Sequence, residues 1–435
     1  MFFFKKKPKL KKRYFEAASV KPRATGVWDF LNKKENSNST LINRSRNLYI
    51  NNPYAKKGID TLVHHSIGKG IIPQCDNEAL ERIYKKWVKG KCDLAGRHNF
   101  YSLQSLVLRT VITSGECFVR KVIVKDQEFP LRLQVLEPEF LDSSKGSKGF
   151  IYDSQGKVKA YWFYENHPQD DEFTGSSKMV KDTEVLHIFS ENRPGETRGT
   201  PWLTSVMLRL NDYADYEHAQ LTRIKMASCF VGIVSDLDSS DEFLDEVEDL
   251  QNIEPGTFKF APANKSITFN SPPSPDAGNY PKDVLMGIST GLNLPYFLLL
   301  GDFSQVNYSS SRMGMNEFYK KIDSIRWHMI IPQLCEPVFD WFCESLLLTG
   351  NKAQGMCKHT PPSRAVVDIT KEVEGFKEGI RSGLTTQSRA IQEFSGLDPG
   401  DVFEEIRRDN ETLKKLKINL DTQVIQEPKS ENKKR

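Results

Sequence analysis

The chain has 435 residues, 38% hydrophobic and 27% charged, with 61 basic against 57 acidic side chains and a net charge of +4. That length exceeds what one hydrophobic core usually organises, about 250–300 residues, so two or more packed units are expected. The near balance of charge lacks the strong basic footprint of a dedicated nucleic-acid binder. No apolar run approaches the ~18 residues of a membrane span. The seven cysteines form no CxxC pair and their number is odd, which argues against a disulfide framework and for a reducing compartment.

Charge is segregated locally. Residues 1–40 read as a basic, flexible arm: Lys5, Lys6, Lys7, Lys9, Lys11, Lys12 and Arg13 are interrupted only by Pro8 and Leu10. A solvated tail and a nucleic-acid or partner contact are both open there. Helical spacing begins near Leu41. Asn52 before Pro53 suits an N-cap, and Ala55, Ile59, Leu62, Val63 and Ile67 hold one face until Gly68. Asn77 caps a further helix with the stripe Leu80, Ile83, Tyr84, Trp87 and Val88, and another follows Ser102.

The period then changes. Cys117 to Val124 and Leu131 to Glu137 read as strands. Ser154-Gln155-Gly156 is the expected turn of a hairpin joining Phe150–Tyr152 to Val158–Tyr164. A polar loop spans Asp170 to Ser177, and Thr183 to Phe189 is a last strand. Thr200-Pro201 opens a helix of about 30 residues, about 45 Å long, on which Leu203, Val206, Leu210, Ala214, Leu221 and Ile224 share a stripe with Glu217 and Ser228. Eight acids crowd Asp236 to Leu250, as a solvated face or a charge complement to a neighbour.

Phe258 to Phe269 reads as strand and Ser271 to Pro275 as loop. Helix resumes at Lys282, is interrupted at Asn293-Leu-Pro295, and gives way to the loop Gly301 to Asn307. A long helix from about Ser309 to Leu348 follows, which Pro332 and Pro337 should kink or break. Helices near Val373, Gln387 and Val402 to Leu416 precede a charged tail.

Chemistry-bearing motifs are sparse. Gly287-Ile-Ser289-Thr-Gly291 matches a nucleophile elbow but sits in helical pattern, without the strand the elbow needs. His64-His65 and Cys357-Lys-His359 lack the second pair of a metal site. The acidic run lacks the glycine turn of a calcium loop, and there is no GxxxxGK[ST] phosphate loop. Neither a cofactor nor a catalytic centre is expected.

Several runs together resemble lambda-type tailed-phage portal proteins. These are NLYINNPYAKKGIDTLVHHSIGKGI (Asn47 to Ile71), CDLAGRHNFYSLQ (Cys92 to Gln104), GECFVR (Gly115 to Arg120) and LQVLEPEFLD (Leu133 to Asp142). AYWFYENHP (Ala160 to Pro168), EVLHIFSENRPGETRGTPWL (Glu184 to Leu203), GDFSQVNYSSSR (Gly301 to Arg312) and GLTTQSRAIQEFSGLDPGDVFEE (Gly383 to Glu405) continue it in order. The resemblance implies an α+β portal fold with long stem and wing helices and a β-containing clip inserted between them. It implies a wing region at 41–141, a clip at 142–192, a stem helix at 193–232, a wing and channel-loop region at 233–350, and crown-like helices with a charged tail at 351–435. Asp302, Ser304, Gln305 and Asn307 become candidates to face a channel. The implied assembly is a homo-oligomeric ring, typically a dodecamer, at the capsid portal vertex of the virion after assembly in the host cytoplasm. Its implied partners are the large terminase subunit, head–tail connector proteins, major capsid and scaffold proteins, and double-stranded DNA, with no membrane. The alternative is a DNA-binding or head-assembly scaffold protein acting through the basic arm.

Overall fold

The computed structural model describes residues 35–125, 128–228, 232–236, 265–269, 278–304, 306–350, 355–364 and 369–418. The basic arm Lys5 to Arg13, Gln305 and the acids from Asp238 to Asp249 lie outside them. The described chain is α+β and begins with α1 (Glu35–Asn51) and α2 (Pro53–Ile67). Asn52 caps α2 as its position predicts, its Oδ1 accepting from the N–H groups of Tyr54 (3.1 Å) and Ala55 (3.0 Å). Next come β1 (Ile72–Cys75), α3 (Glu78–Lys89) and α4 (Phe100–Ser114). Asn77 caps α3, and Asn99 caps α4, three residues ahead of the expected cap at Ser102.

Six strands follow: β2 (Glu116–Ile123), β3 (Leu131–Leu136), β4 (Phe150–Tyr152), β5 (Val158–Tyr164), β6 (Ser177–Lys181) and β7 (Val185–Phe189). A tight 3-10 turn at Trp202–Ser205 leads to α5 (Met207–Ser228). This helix has 22 residues, about 33 Å; the expected helix was longer because Pro201 and the first stripe residues belong to the tighter turn. Then come β8 (Gly232–Asp236), β9 (Lys265–Phe269), α6 (Tyr280–Gly291), α7 (Tyr296–Leu300) and α8 (Tyr308–Ile325). From α8 the chain passes without a break into a π-helical stretch, Arg326–Cys335, and on into α9 (Glu336–Leu347). Pro332 lies inside the widened stretch, where the looser winding accommodates a residue that has no N–H to give. Pro337 is the second residue of α9, so its missing N–H falls where the wide winding gives way to the ordinary helix. The chain continues through β10 (Cys357–Thr360), α10 (Ile369–Arg381), α11 (Gln387–Ser395) and α12 (Pro399–Leu416).

The chain divides into two compact units. One holds the described residues up to Ile59 together with those from Thr200 to Phe318. Its core is helical: Leu41 and Leu48 of α1, Ala55 and Ile59 of α2, Leu210 and Tyr213 of α5, and Leu285 and Ile288 of α6 are buried. Gly58 is needed for this packing, since a Cβ there would lie 2.7 Å from a methyl of Leu292.

The second unit holds Asp60 to Gly199 and the described residues from Tyr319 onward. Here β2 runs between β3 and β7, antiparallel to both, with Phe118 opposite Leu136 on one side and His187 on the other. A second sheet, β4-β5-β6, carries the expected hairpin. Asp153 Oδ1 accepts from the N–H groups of Gln155 and Lys157, each at 2.9 Å, and Gly156 takes φ +85°. The two sheets share one core of Phe118, Leu136, Leu141, Phe150, Tyr161, Phe163, Val180 and Val185. An aromatic cluster joins α3, α4 and α9, with Trp87 5.7 Å from Phe100 and 5.3 Å from Phe342, and Trp87 Nε1 donating to Leu131 O at 3.1 Å.

Candidate functional site

The loop ahead of α8 was expected from its turn residues, and the structure shows how it is built. Gly301 ends α7 at φ +72°, a left-handed conformation that favours glycine. Asp302 Oδ1 accepts from Ser304 N–H (2.9 Å), and these hydrogen bonds hold the Asp302 carboxyl below its ordinary range. Asn307 caps α8, its Oδ1 accepting from Ser310 N–H at 2.8 Å. Asp302, Ser304 and Asn307 are therefore brought onto one short exposed turn, and Phe303, 60% exposed, leans on Phe297 with ring centroids 5.8 Å apart.

A second constellation was not seen in the sequence. Glu116, the first residue of β2, is fully buried, and four groups converge on its carboxylate. Arg198 Nε donates to Oε1 at 2.6 Å, and Gly199 N–H donates to Oε2 at 3.0 Å. His187 Nε2 lies 3.0 Å from Oε2, and a second Arg198 nitrogen completes a two-pronged clasp. Burial alone would raise the Glu116 carboxyl, but the Arg198 charge and the His187 contact outweigh it and hold it at about 2. The His187 ring is stacked between Phe118 and Phe189, 4.4 Å from each. Space is equally tight at Gly199, where a Cβ would fall 2.0 Å from Gly115 O. Glu116 comes from the run Gly115 to Arg120, and His187 and Arg198 come from the run Glu184 to Leu203, so two separate runs of the motif series meet at one buried ion cluster. The only sequence signal was an acid and an arginine amid apolar or glycine neighbours, which does not identify a pair 82 residues apart.

The decoy motifs resolve into packing. Ser289 lies in mid-α6 with its hydroxyl buried and without a hydrogen-bond partner. The flanking glycines serve helix contact: a Cβ on Gly287 would lie 2.2 Å from Arg209, and one on Gly291 2.3 Å from Val206. His64 is exposed, and the carbonyl of His65 accepts from Arg326 at 2.8 Å. His359 is buried on β10, and burial pushes it down to about 4. Glu137, Glu139 and His167 do come together, with His167 Nε2 3.4 Å from Glu137. His167 Nδ1 accepts from Gln169 N–H at 3.1 Å, which uses one ring nitrogen within the chain's own turn.

The family model described as phage portal protein, lambda family, matches residues 18–326. The chain belongs to that family. A relative from Halomonas phage phiHAP-1, a probable portal protein, is 27% identical over 431 residues, covering 87% of this chain and 81% of that protein. Among solved structures, the neck of a native gene transfer agent particle, computed with C12 symmetry, matches with TM-score 0.51 and 13% identity, covering 81% of this chain and 92% of that one. The neck of the empty particle, computed with C6 symmetry, matches with TM-score 0.52 and 13% identity over the same shares. These two likenesses concern the fold.

This portal protein is thus a structural component of the phage virion, not an enzyme. The family match takes in both constellations, the Glu116 cluster and the loop at 301–307, and ends at Arg326, the first residue of the π-helical stretch.

Proposed function

We propose that copies of this chain close side by side into a ring, twelve in number, at one vertex of the capsid, and that duplex DNA passes through its centre during packaging and ejection. The observation that carries this reading is the half-covered stripe of α5. Leu210 and Tyr213 at its start are buried, whereas Leu221 and Ile224 further along are 48% and 58% exposed. A helix that keeps its apolar face beyond its own core calls for cover from a neighbouring surface, and an identical subunit related by rotation offers one in a closed ring. The twelvefold symmetry of the similar gene transfer agent neck supports the subunit number.

Within such a ring, residues 142–192 serve as clip, 193–232 as stem, 41–141 and 233–350 as wing, and 351–435 as crown-like helices. The turn holding Asp302, Ser304, Gln305 and Asn307 faces the channel. A turn whose side chains are acidic or neutral slides past phosphates with little grip, because each phosphate neutralised by Lys or Arg would add salt-dependent affinity. The sequence carries no phosphate-loop motif, which leaves the work of pumping to the large terminase subunit as docking partner. Head–tail connector proteins, major capsid protein and scaffold are the remaining partners. Electron microscopy of the purified full-length protein tests the proposal: rings with an open centre are expected, and a protein that stays monomeric or dimeric at every concentration and salt would overturn it.

A further inference from the structure

β1 and β10 form a two-stranded antiparallel ribbon in which Pro73 faces His359 and Cys75 faces Cys357. Asp76 N–H donates to Met356 O at 3.1 Å, which marks 76 and 356 as a hydrogen-bonded pair. Alternation along the ribbon makes Cys75 and Cys357 a non-hydrogen-bonded pair, as it does Pro73, which has no N–H to offer. At such a pair the Cα atoms stand about 4.5 Å apart and the side chains leave the same face. A disulfide spans Cα separations of about 4.4–6.8 Å, so no backbone movement is needed to join these two. Both cysteines are free and half-buried, and the neighbouring Met356 is exposed. A virion component folds in a reducing cytoplasm and then persists in an oxidising medium, where a disulfide survives.

We propose that Cys75 and Cys357 are a site of oxidative cross-linking that takes a small-molecule disulfide, of the class of oxidised glutathione, as its reactant. The Cys75 thiolate attacks one sulfur of the reactant and expels the first small thiolate, leaving a mixed disulfide. Cys357 then gives up its proton to water, attacks the Cys75 sulfur and expels the second. Two protein thiols are oxidised and one small disulfide is reduced to two thiols. The neighbouring Cys75 thiol, together with burial, pushes the Cys357 thiol up, so the first attack falls to Cys75. The bond would fix the ribbon on which α11 sits: Gln74 Oε1, beside Cys75, accepts from Thr360 Oγ1 (3.0 Å) and from Gln392 Nε2 of α11 (2.8 Å).

The experiment treats full-length protein with oxidised glutathione or with a reducing agent, alkylates the remaining thiols and maps the peptides by mass spectrometry. A linked Cys75–Cys357 peptide is expected only after oxidation, with a rise in melting temperature of several degrees that a reductant reverses. Cys75→Ser and Cys357→Ser should each lose the link and the rise. Cys343→Ser, which removes the rival thiol on α9 near Cys75, should keep both. A Cys75–Cys343 link, a lasting glutathione adduct on Cys75, or free thiols at both positions after oxidation would overturn the proposal. The mapping reads the wild-type protein, so it decides even if a serine variant fails to fold.

Discussion

Glu116 holds the turn at Arg198-Gly199 against the start of β2, and the charge is stable there because Arg198 and His187 meet it. The carboxyl is held at about 2 in the fold against an ordinary 4.5, so the unfolded chain takes up the proton first. Stability from the ionised group is therefore complete above about pH 4.5 and drains away as the pH falls towards 2; it amounts to on the order of 3 kcal/mol. Glu116→Gln should lower the melting temperature by several degrees near pH 7, and the gap from wild type should be less than half as large near pH 3. An equal gap at both pH values would mean that the buried group carries no charge. Arg326 makes a parallel case. It is 5% exposed, donates to the carbonyls of Ser66 (2.8 Å) and His65 (2.8 Å) at the end of α2, and meets Asp323 at 3.5 Å. Burial pushes its guanidinium down to about 10, still charged at neutral pH. Arg326→Met would strip the last turn of α2 of its cap and cost about 3 kcal/mol in chemical denaturation.

At the scale of elements, the GxSxG run shows how a motif for chemistry can be a motif for contact. Gly287 and Gly291 let α6 approach Arg209 of α5 and Val206 just ahead of it, and Ser289 between them buries a hydroxyl with nothing to bond. Ser289→Ala should thus leave stability unchanged or raise it by up to about 1 kcal/mol, with no effect on any ester hydrolysis. Gly291→Val should cost about 1–3 kcal/mol by overpacking, read from the denaturation midpoint. Local chemistry of this kind made much of the fold legible. Asn52 and Asn77 announce helix starts, Asp153 and Gly156 announce a turn, and Gly301 and Asn307 bracket the loop of the candidate site, because each acts within four residues of itself. What stayed hidden depends on partners far along the chain. That β7 would pair with β2, that β1 would meet β10, and that Glu116 would meet Arg198 are facts of tertiary packing with no local trace. The π-helical stretch escaped for a related reason: Pro332 announces a disturbance, and the surrounding packing decides between a break and a widened turn.

For the assembled molecule, α5 separates folding from association. Its first two turns bury Met207 and Leu210 with Tyr213, whereas its later Leu221 and Ile224 keep about half of their surface exposed. Leu210→Pro would remove a hydrogen bond and clash within the helix, at about 3 kcal/mol or more, so it should lose both fold and ring. Leu221→Asp with Ile224→Asp is the sharper experiment. Surface changes away from packed features usually alter stability by no more than about 0.5 kcal/mol, so the double variant should melt with the wild type and keep its circular dichroism. In a ring, however, the same carboxylates would be buried unpaired at every interface, repeated in each subunit, and each would carry the cost of desolvating a charge. Sedimentation should then show monomers where the wild type shows rings, and microscopy should find no open-centred particles. If the double variant still forms rings, the exposed half of α5 is not the contact between subunits. If it unfolds, the stripe belongs to the protein's own core.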